Sequence, residues 1–431
     1  MKYNIQELKE GIKLHQINTD IFKTNLYAIF IAIPLTRKNV TLNALLTAVL
    51  RRGSASMPSQ EIISKKLEEM YGASFDCGIE KLGDNHILKF YLEAISEDFL
   101  PEKEELEQKC LDILLDIVFN PLTHEYKEDD MTANNSFKEE YVQTEKQNLK
   151  QIIEGKIDNK AKFALDRCIE EMFKNEPYGL YKYGYVQDLN NITAQSLYEY
   201  YKELIYTCKI DIFCSGAINE EKTKRIIEEN ECFKSLVSRK PEYVINNIKA
   251  KEENKEKEIK DSMEVTQGKL VIGLNIKLRN EEEKFTASVY NAILGGGANS
   301  KLFQNVREKE RLAYTANSNY VRQKNCIFIR CGIEIENYQK ALDTIKQQLQ
   351  DIKEGNFSQK DIESAKTLII ETIKSIPAEQ DTQITYYYSQ ELSEAHVTLE
   401  KYTENIEKQT KEQIVKLAQN INIDTIYFLK D

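Results

Sequence analysis

Apolar residues in this chain come in short blocks whose order repeats. YAIFIAIPL (residues 27–35) is too short to cross a bilayer and reads as a buried strand. With KLHQI (13–17) before it, the first 35 residues predict two strands around the turn INTDIFKTN. VTLNALLTAVL (40–50) sets Leu42, Leu45, Leu46 and Val49 on one helical face, and Gly53 stops it after two arginines. A second helix lies in SMPSQEIISKKLEEMYG, with Ser59 as its N-cap. Strands at 73–80 and 86–95 and a helix within 104–121 follow, and the polar residues 123–135 read as a loop. From Lys138 to Glu171 the pattern predicts one long helix or two joined. After an aromatic loop come the helix AQSLYEYYKELI (194–205) and the strand KIDIFCSGAI (209–218).

Beyond a charged stretch at 246–262, read as a solvated linker, the same grammar returns. GKLVIGLNIKL (268–278) is a strand and EEKFTASVYNAIL a helix, followed by three glycines and another helix. Two strands and two helices come next, then a Tyr-rich helix. KEQIVKLAQNI before DTIYFLKD repeats the earlier helix-then-strand about 215 residues on. A period this long means two copies of one α+β domain rather than a solenoid. It favours two domains over the roughly three that length alone suggests. The expected division is 1–240, a linker at 241–262, and 263–431.

Composition narrows the function classes. Apolar residues are 41% and charged residues 30%, and 70 acids against 59 bases leave a net charge of −11. The bases are interspersed with acids, and no basic stripe carries aromatics, so nucleic acid and membranes are poor partners. The N-terminal MKYNIQELKEG lacks the apolar core of an export signal, so a cytoplasmic protein with reduced thiols is expected. None of the 8 cysteines forms a CxxC, and the 4 histidines are far apart, none at metal-ligand spacing; no cofactor is expected. The tyrosines of YGLYKYGY and ITYYYSQEL read as packing, and His86, beside a strand start, as a turn or surface residue.

The most distinctive stretch is LGGGANSKLFQNVREKERLAY (294–314). Its glycines permit a tight turn or a close backbone approach, and no Gly-Lys-Ser/Thr follows to make a phosphate loop. Asn299 or Ser300 can cap a helix whose apolar face is Leu302, Phe303 and Val306. That helix is expected to stop near Arg311, with Tyr314 opening the next strand. There Arg307 and Tyr314 can converge on one carbonyl or carboxylate, or remain a surface arginine and a half-buried tyrosine.

Together with RRGSASMPSQEI and TQGKLVIGL, this motif and the order of elements resemble the insulinase/pitrilysin family of zinc metallopeptidases over essentially the whole chain. The resemblance implies two homologous insulinase-type domains, each a mostly antiparallel sheet covered by helices, forming half of a clamshell. Active members carry His-x-x-Glu-His on the first helix, and those positions fall here on Ala44, Thr47 and Ala48. The third ligand, a glutamate, falls near Gln151, with Glu145 and Glu154 close by. Zinc hydrolysis needs about three N, O or S protein ligands and a base, so this site is degenerate. Arg307 and Tyr314 match the pair that in active relatives reaches the bound peptide. The resemblance therefore implies a metal-free peptide-binding subunit complementing a zinc-bearing partner. The alternative is a self-associating, non-hydrolytic scaffold. The metal-free branch of the family is also associated with modification of elongation factor P. A peptide is expected to add along a strand edge, for which GKLVIGLNI is one candidate.

Overall fold

The computed structural model describes residues 2–124, 136–245 and 255–431. Eleven strands run through them: β1 (Lys2–Lys9), β2 (Ile12–Asn18), β3 (Thr24–Pro34), β4 (Ser74–Leu82), β5 (Asn85–Ile95), β6 (Lys209–Gly216), β7 (Lys257–Ser262), β8 (Gly268–Ile276), β9 (Ala313–Val321), β10 (Cys326–Ile333) and β11 (Ile421–Lys430). The first sheet has the order β1-β2-β6-β3-β5-β4 and the second β7-β11-β8-β10-β9. In the first, β2 and β6 pair in parallel and every other pair is antiparallel. In the second, β7 and β11 are the parallel pair. Set aside β1, and the two sheets have one topology, strand for strand in chain order. The chain is α+β, two mostly antiparallel sheets covered by helices.

Two strands lie outside the expected pattern. Residues 2–9 form β1, an outer strand paired only with β2, where the sequence predicts no strand. Lys257–Ser262, expected as linker, is β7. Its burial alternates along the strand, Lys257, Ile259 and Asp261 turning partly inward while the residues between them face solvent. An edge strand can carry this many charges because one face and one side stay in water. Its place is that of β2 in the first sheet, so the repeat itself required a strand there. Residues 246–254 of the expected linker, and 125–135 of the expected loop, lie outside the described residues.

The chain forms two compact units. One comprises 1–155, 180–244 and 377–388; the other 156–179, 245–376 and 389–431. They differ from the simple halves 1–240 and 263–431 by two exchanged segments. The helices α1 (Val40–Leu50), α2 (Gln60–Glu69), α3 (Leu106–Phe119) and α4 (Glu139–Glu154) belong to the first unit. The next, α5 (Lys160–Met172), belongs to the second. The stretch Lys138–Glu171 is thus two helices, and the break at Gly155 falls where the chain changes unit.

Each sheet buries both faces. In the first unit Ile29, Ile31, Leu88, Phe90 and Ile212 join α1 and α3 in the main core. Phe30 and Phe213 turn to the opposite face and pack against Tyr388 of the Gln380–Glu391 helix. In the second unit α5 covers Val271, Phe328, Tyr427 and Leu429. Gly273 of β8 lets that helix in, since a Cβ there would lie 2.6 Å from the Met172 sulfur.

Candidate functional site

The first helix carries the positions at which the family resemblance implies a metal. α1 is buried nearly all round, which its mixture of Leu, Ala and Val permits. Ala44 is 5% exposed and offers only a methyl group; Ala48 is half-buried. Thr47 is buried, and its hydroxyl donates to the Asn43 carbonyl one turn back, at 3.0 Å. Gln151 is solvent-exposed on α4, and so is Glu154. Glu145 points the other way, nearly buried, and accepts hydrogen bonds from Arg52 Nε and from Asn148 Nδ2. The arginine just before Gly53 therefore occupies one of the two carboxylates close to the expected third ligand. Cys77 on β4 lies beside α1, its thiol donating to the Thr47 carbonyl at 3.7 Å. Burial pushes this thiol up to about 12. Zinc does not fit these residues, and among the described residues no group of three or more His, Cys, Asp or Glu is placed to hold a metal ion.

A polar network runs through the same helix. Asn43 Nδ2 donates to His86 Nδ1 at 3.1 Å, and Tyr200 donates to Asn43 Oδ1 at 2.5 Å. His86 is fully buried, which corrects the expectation of a turn or surface residue. Burial, with Lys81 and Lys182 nearby, pulls its imidazole down to about 3 and keeps it neutral. The signal missed in the sequence is Asn43 itself, an amide within an otherwise apolar helix, which must find partners when buried.

In the second unit the helix Glu283–Gly295 ends at the glycines, and a Cβ on Gly295 would meet the Ser318 backbone nitrogen of β9 at 2.5 Å. The glycine serves close approach, as expected. Ser300 Oγ accepts from Phe303 N at 3.4 Å and begins the next coil. That coil is wide: Leu302–Lys309 is a π-helix, closing with Glu310 N to Asn305 O at 3.2 Å. Runs of this kind are rare and concentrate where side chains are being aimed. Leu302 and Val306 are fully buried, whereas Phe303 is only partly so. Arg311 turns the chain at φ +54°, and Tyr314 lies on β9, an edge of the sheet.

Arg307 is exposed, its guanidinium 4.6 Å from the Phe303 ring centre and 3.5 Å from the Glu308 carboxylate. Tyr314 is 62% exposed and donates to Glu334 at 2.7 Å. That bond to a carboxylate holds its phenol above its ordinary value. The two side chains thus present themselves to solvent, each with its own neighbour rather than with each other. The candidate peptide edge GKLVIGLNI is corrected: it is β8, the middle strand, paired on both sides. The edges of that sheet are β9 and β7, and β4 is the corresponding edge of the first.

Two α+β sheets of one topology, with a first helix that offers no metal ligand at Ala44, Thr47 or Ala48, describe a metallopeptidase-type scaffold. The chain belongs to the M16 (insulinase/pitrilysin) family of metallopeptidases, among its catalytically inactive members. The family description "Peptidase M16 inactive domain" matches residues 191–369. A relative from Bacillus subtilis, the probable inactive metalloprotease YmfF, is 34% identical, covering 99% of this chain and 98% of its own. The crystal structure of a conserved protein from Enterococcus faecalis covers 100% of this chain and 99% of its own, with 26% identity and a TM-score of 0.87. A peptidase M16 inactive domain from Pseudomonas fluorescens shares the fold at 17% identity and a TM-score of 0.77, covering 100% of this chain and 98% of its own.

Proposed function

We propose that this chain is the metal-free subunit of a heteromeric peptidase, binding an extended peptide that a zinc-bearing family member cleaves. One observation carries the reading. The helix that should bear the metal has lost every ligand, while Arg307 and Tyr314 remain exposed beside and upon the edge strand β9. An edge strand binds peptide main chain with little demand on its sequence. Arg307 holds a carbonyl or carboxylate of the peptide by charge-assisted bonds, and Tyr314 donates to the carbonyl that becomes an oxyanion. For this the phenol leaves Glu334, an exposed contact that costs little to break.

The test is reconstitution. Mixed with a zinc-bearing relative from the same cell, the chain is expected to give peptidase activity that neither protein shows alone. Arg307→Ala or Tyr314→Phe should lower it about tenfold or more. Unchanged turnover in both variants removes the roles given to these residues. A tight homodimer on size exclusion, indifferent to the zinc-bearing protein, points instead to a self-associating scaffold. Its client would then be a peptide or a protein such as a translation factor.

A further inference from the structure

A peptide that pairs with β9 runs past a cation with no counter-charge. Arg330 stands on β10 directly opposite Asn317 of β9, and its Nε donates to Asn317 Oδ1 at 3.1 Å. The guanidinium thus reaches across to the edge strand. Phe328, two positions back and on the same face, is covered by α5, whereas Arg330 is exposed. Among the described residues its side-chain partner is a neutral amide, and no carboxylate pairs with it.

The edge itself is shaped for an incoming chain. β9 pairs with β10 alone, and its register slips, since Thr315 faces Gly332 but Ala313 faces Ile333. Tyr314 is the extra residue of this bulge, which turns its phenol out of the strand's alternation. Beyond the bulge Ala316 and Ser318 are buried, while Thr315, Asn317 and Asn319 lie on the face of Arg330. Residues 301–334 hold seven bases and three acids in a chain of net charge −11, so the approach to this edge favours negative charge. Each of those acids is already engaged: Glu308 beside Arg307, Glu310 with Lys340 at 3.1 Å, and Glu334 with the Tyr314 hydroxyl.

An added strand lies about 4.8 Å beyond β9 and sets every second side chain over the face of Asn317. Its residue opposite Asn317 falls beside the Arg330 guanidinium. A lysine there is repelled, and an amide leaves the charge unmatched. A carboxylate matches the charge and can accept two parallel bonds from the planar fork. We infer, building on the addition of a peptide to β9, that Arg330 selects extended peptides with an aspartate or glutamate opposite Asn317. That acidic residue lies about three residues from the carbonyl addressed by Tyr314.

The probes are short fluorescein-labelled peptides of serine, threonine and valine with one central Glu, Gln or Lys, titrated into the full chain and followed by anisotropy. The Glu peptide is expected to bind at least about tenfold tighter than the Gln peptide, and the Lys peptide weakest. Arg330→Gln should bring the Glu peptide down to the Gln value, and Arg330→Glu should turn the preference to Lys. Lys309→Gln, which removes another exposed charge of the same region, should keep the preference for Glu. Equal binding of all the peptides, a preference that survives Arg330→Gln, or one that Lys309→Gln lowers as far, would overturn the role of Arg330 and leave peptide addition to β9 standing. Failure of every peptide to bind would overturn that addition and this inference with it.

Discussion

Arg52 does for Glu145 what a metal ion would do, in that it neutralises a carboxylate taken largely out of water. Its side chain is 24% exposed and that of Glu145 only 11%, so solvent screens the pair weakly. Arg52→Ala leaves the charge with Asn148 alone, and a loss of about 2 kcal/mol in urea unfolding is expected. The double variant Arg52→Met with Glu145→Leu should recover most of it, because two apolar groups need no partners. If the double variant is as damaged as the single, the pair matters for something besides charge. Arg307 and Tyr314 should behave oppositely. Both are exposed, so Arg307→Ala and Tyr314→Phe should each shift stability by no more than about 0.5 kcal/mol. Any loss of reconstituted activity would then report on peptide binding, not on folding. At this scale the sequence shows no metal ligand at Ala44, Thr47 and Ala48. It hides the ion pair, since Arg52 and Glu145 are 93 positions apart and nothing local announces their pairing.

Strands and helices with strong apolar periodicity were legible, and the failures share a physical cause. Edge strands bury little, so β1 and β7 carry polar sequences, the first giving no strand signal and the second reading as linker. What holds β7 is its ladder with β11 and the side chain of Asp261, which accepts from Tyr427 at 2.8 Å and from Arg167 at 3.3 Å. Neither is visible in a hydropathy pattern. The exposed phenol and guanidinium were legible as a motif, but their presentation by a π-helix was not, because no residue type marks that coil. A second polar cluster, on β2 and β6, sets an acid limit on the first sheet. Burial pushes the Asp211 carboxyl up, but Lys209 at 2.5 Å and the His15 bond at 2.9 Å overcome it and leave it at about 2. A carboxyl depressed in the folded state contributes stability above its unfolded value of about 4, and this is lost as pH falls through about 2. Unfolding free energy should therefore drop between those limits. Asp211→Asn should flatten that drop while costing about 3 kcal/mol or more at neutral pH, since Lys209 stays buried without its carboxylate. A variant that keeps the wild-type acid limb would assign the limb to other groups.

For the whole chain, the repeat places the two exchanged segments at corresponding points, each between the long helices and the last strand of its half. Residues 156–179 of the first half build the second unit, and 377–388 of the second half build the first. The first sheet relies on this. Phe30 and Phe213 are fully buried, with Tyr388 packed 4.7 Å from the Phe30 ring centre. A fragment of residues 1–245 would bare these rings, and would also carry α5 with Phe163, Cys168 and Met172 turned to water. Apolar patches of this size drive association. The fragment should bind ANS, sediment as aggregates and unfold without cooperativity, although it contains a complete six-stranded sheet. Residues 246–431 alone should fail in the same way, lacking α5 over Val271 and Phe328. Produced together, the fragments restore both missing covers, and the mixture should lose its ANS signal and melt as one transition. If 1–245 instead proves monomeric, cooperative and silent to ANS, the exchanged helices are ornament and each half folds by itself.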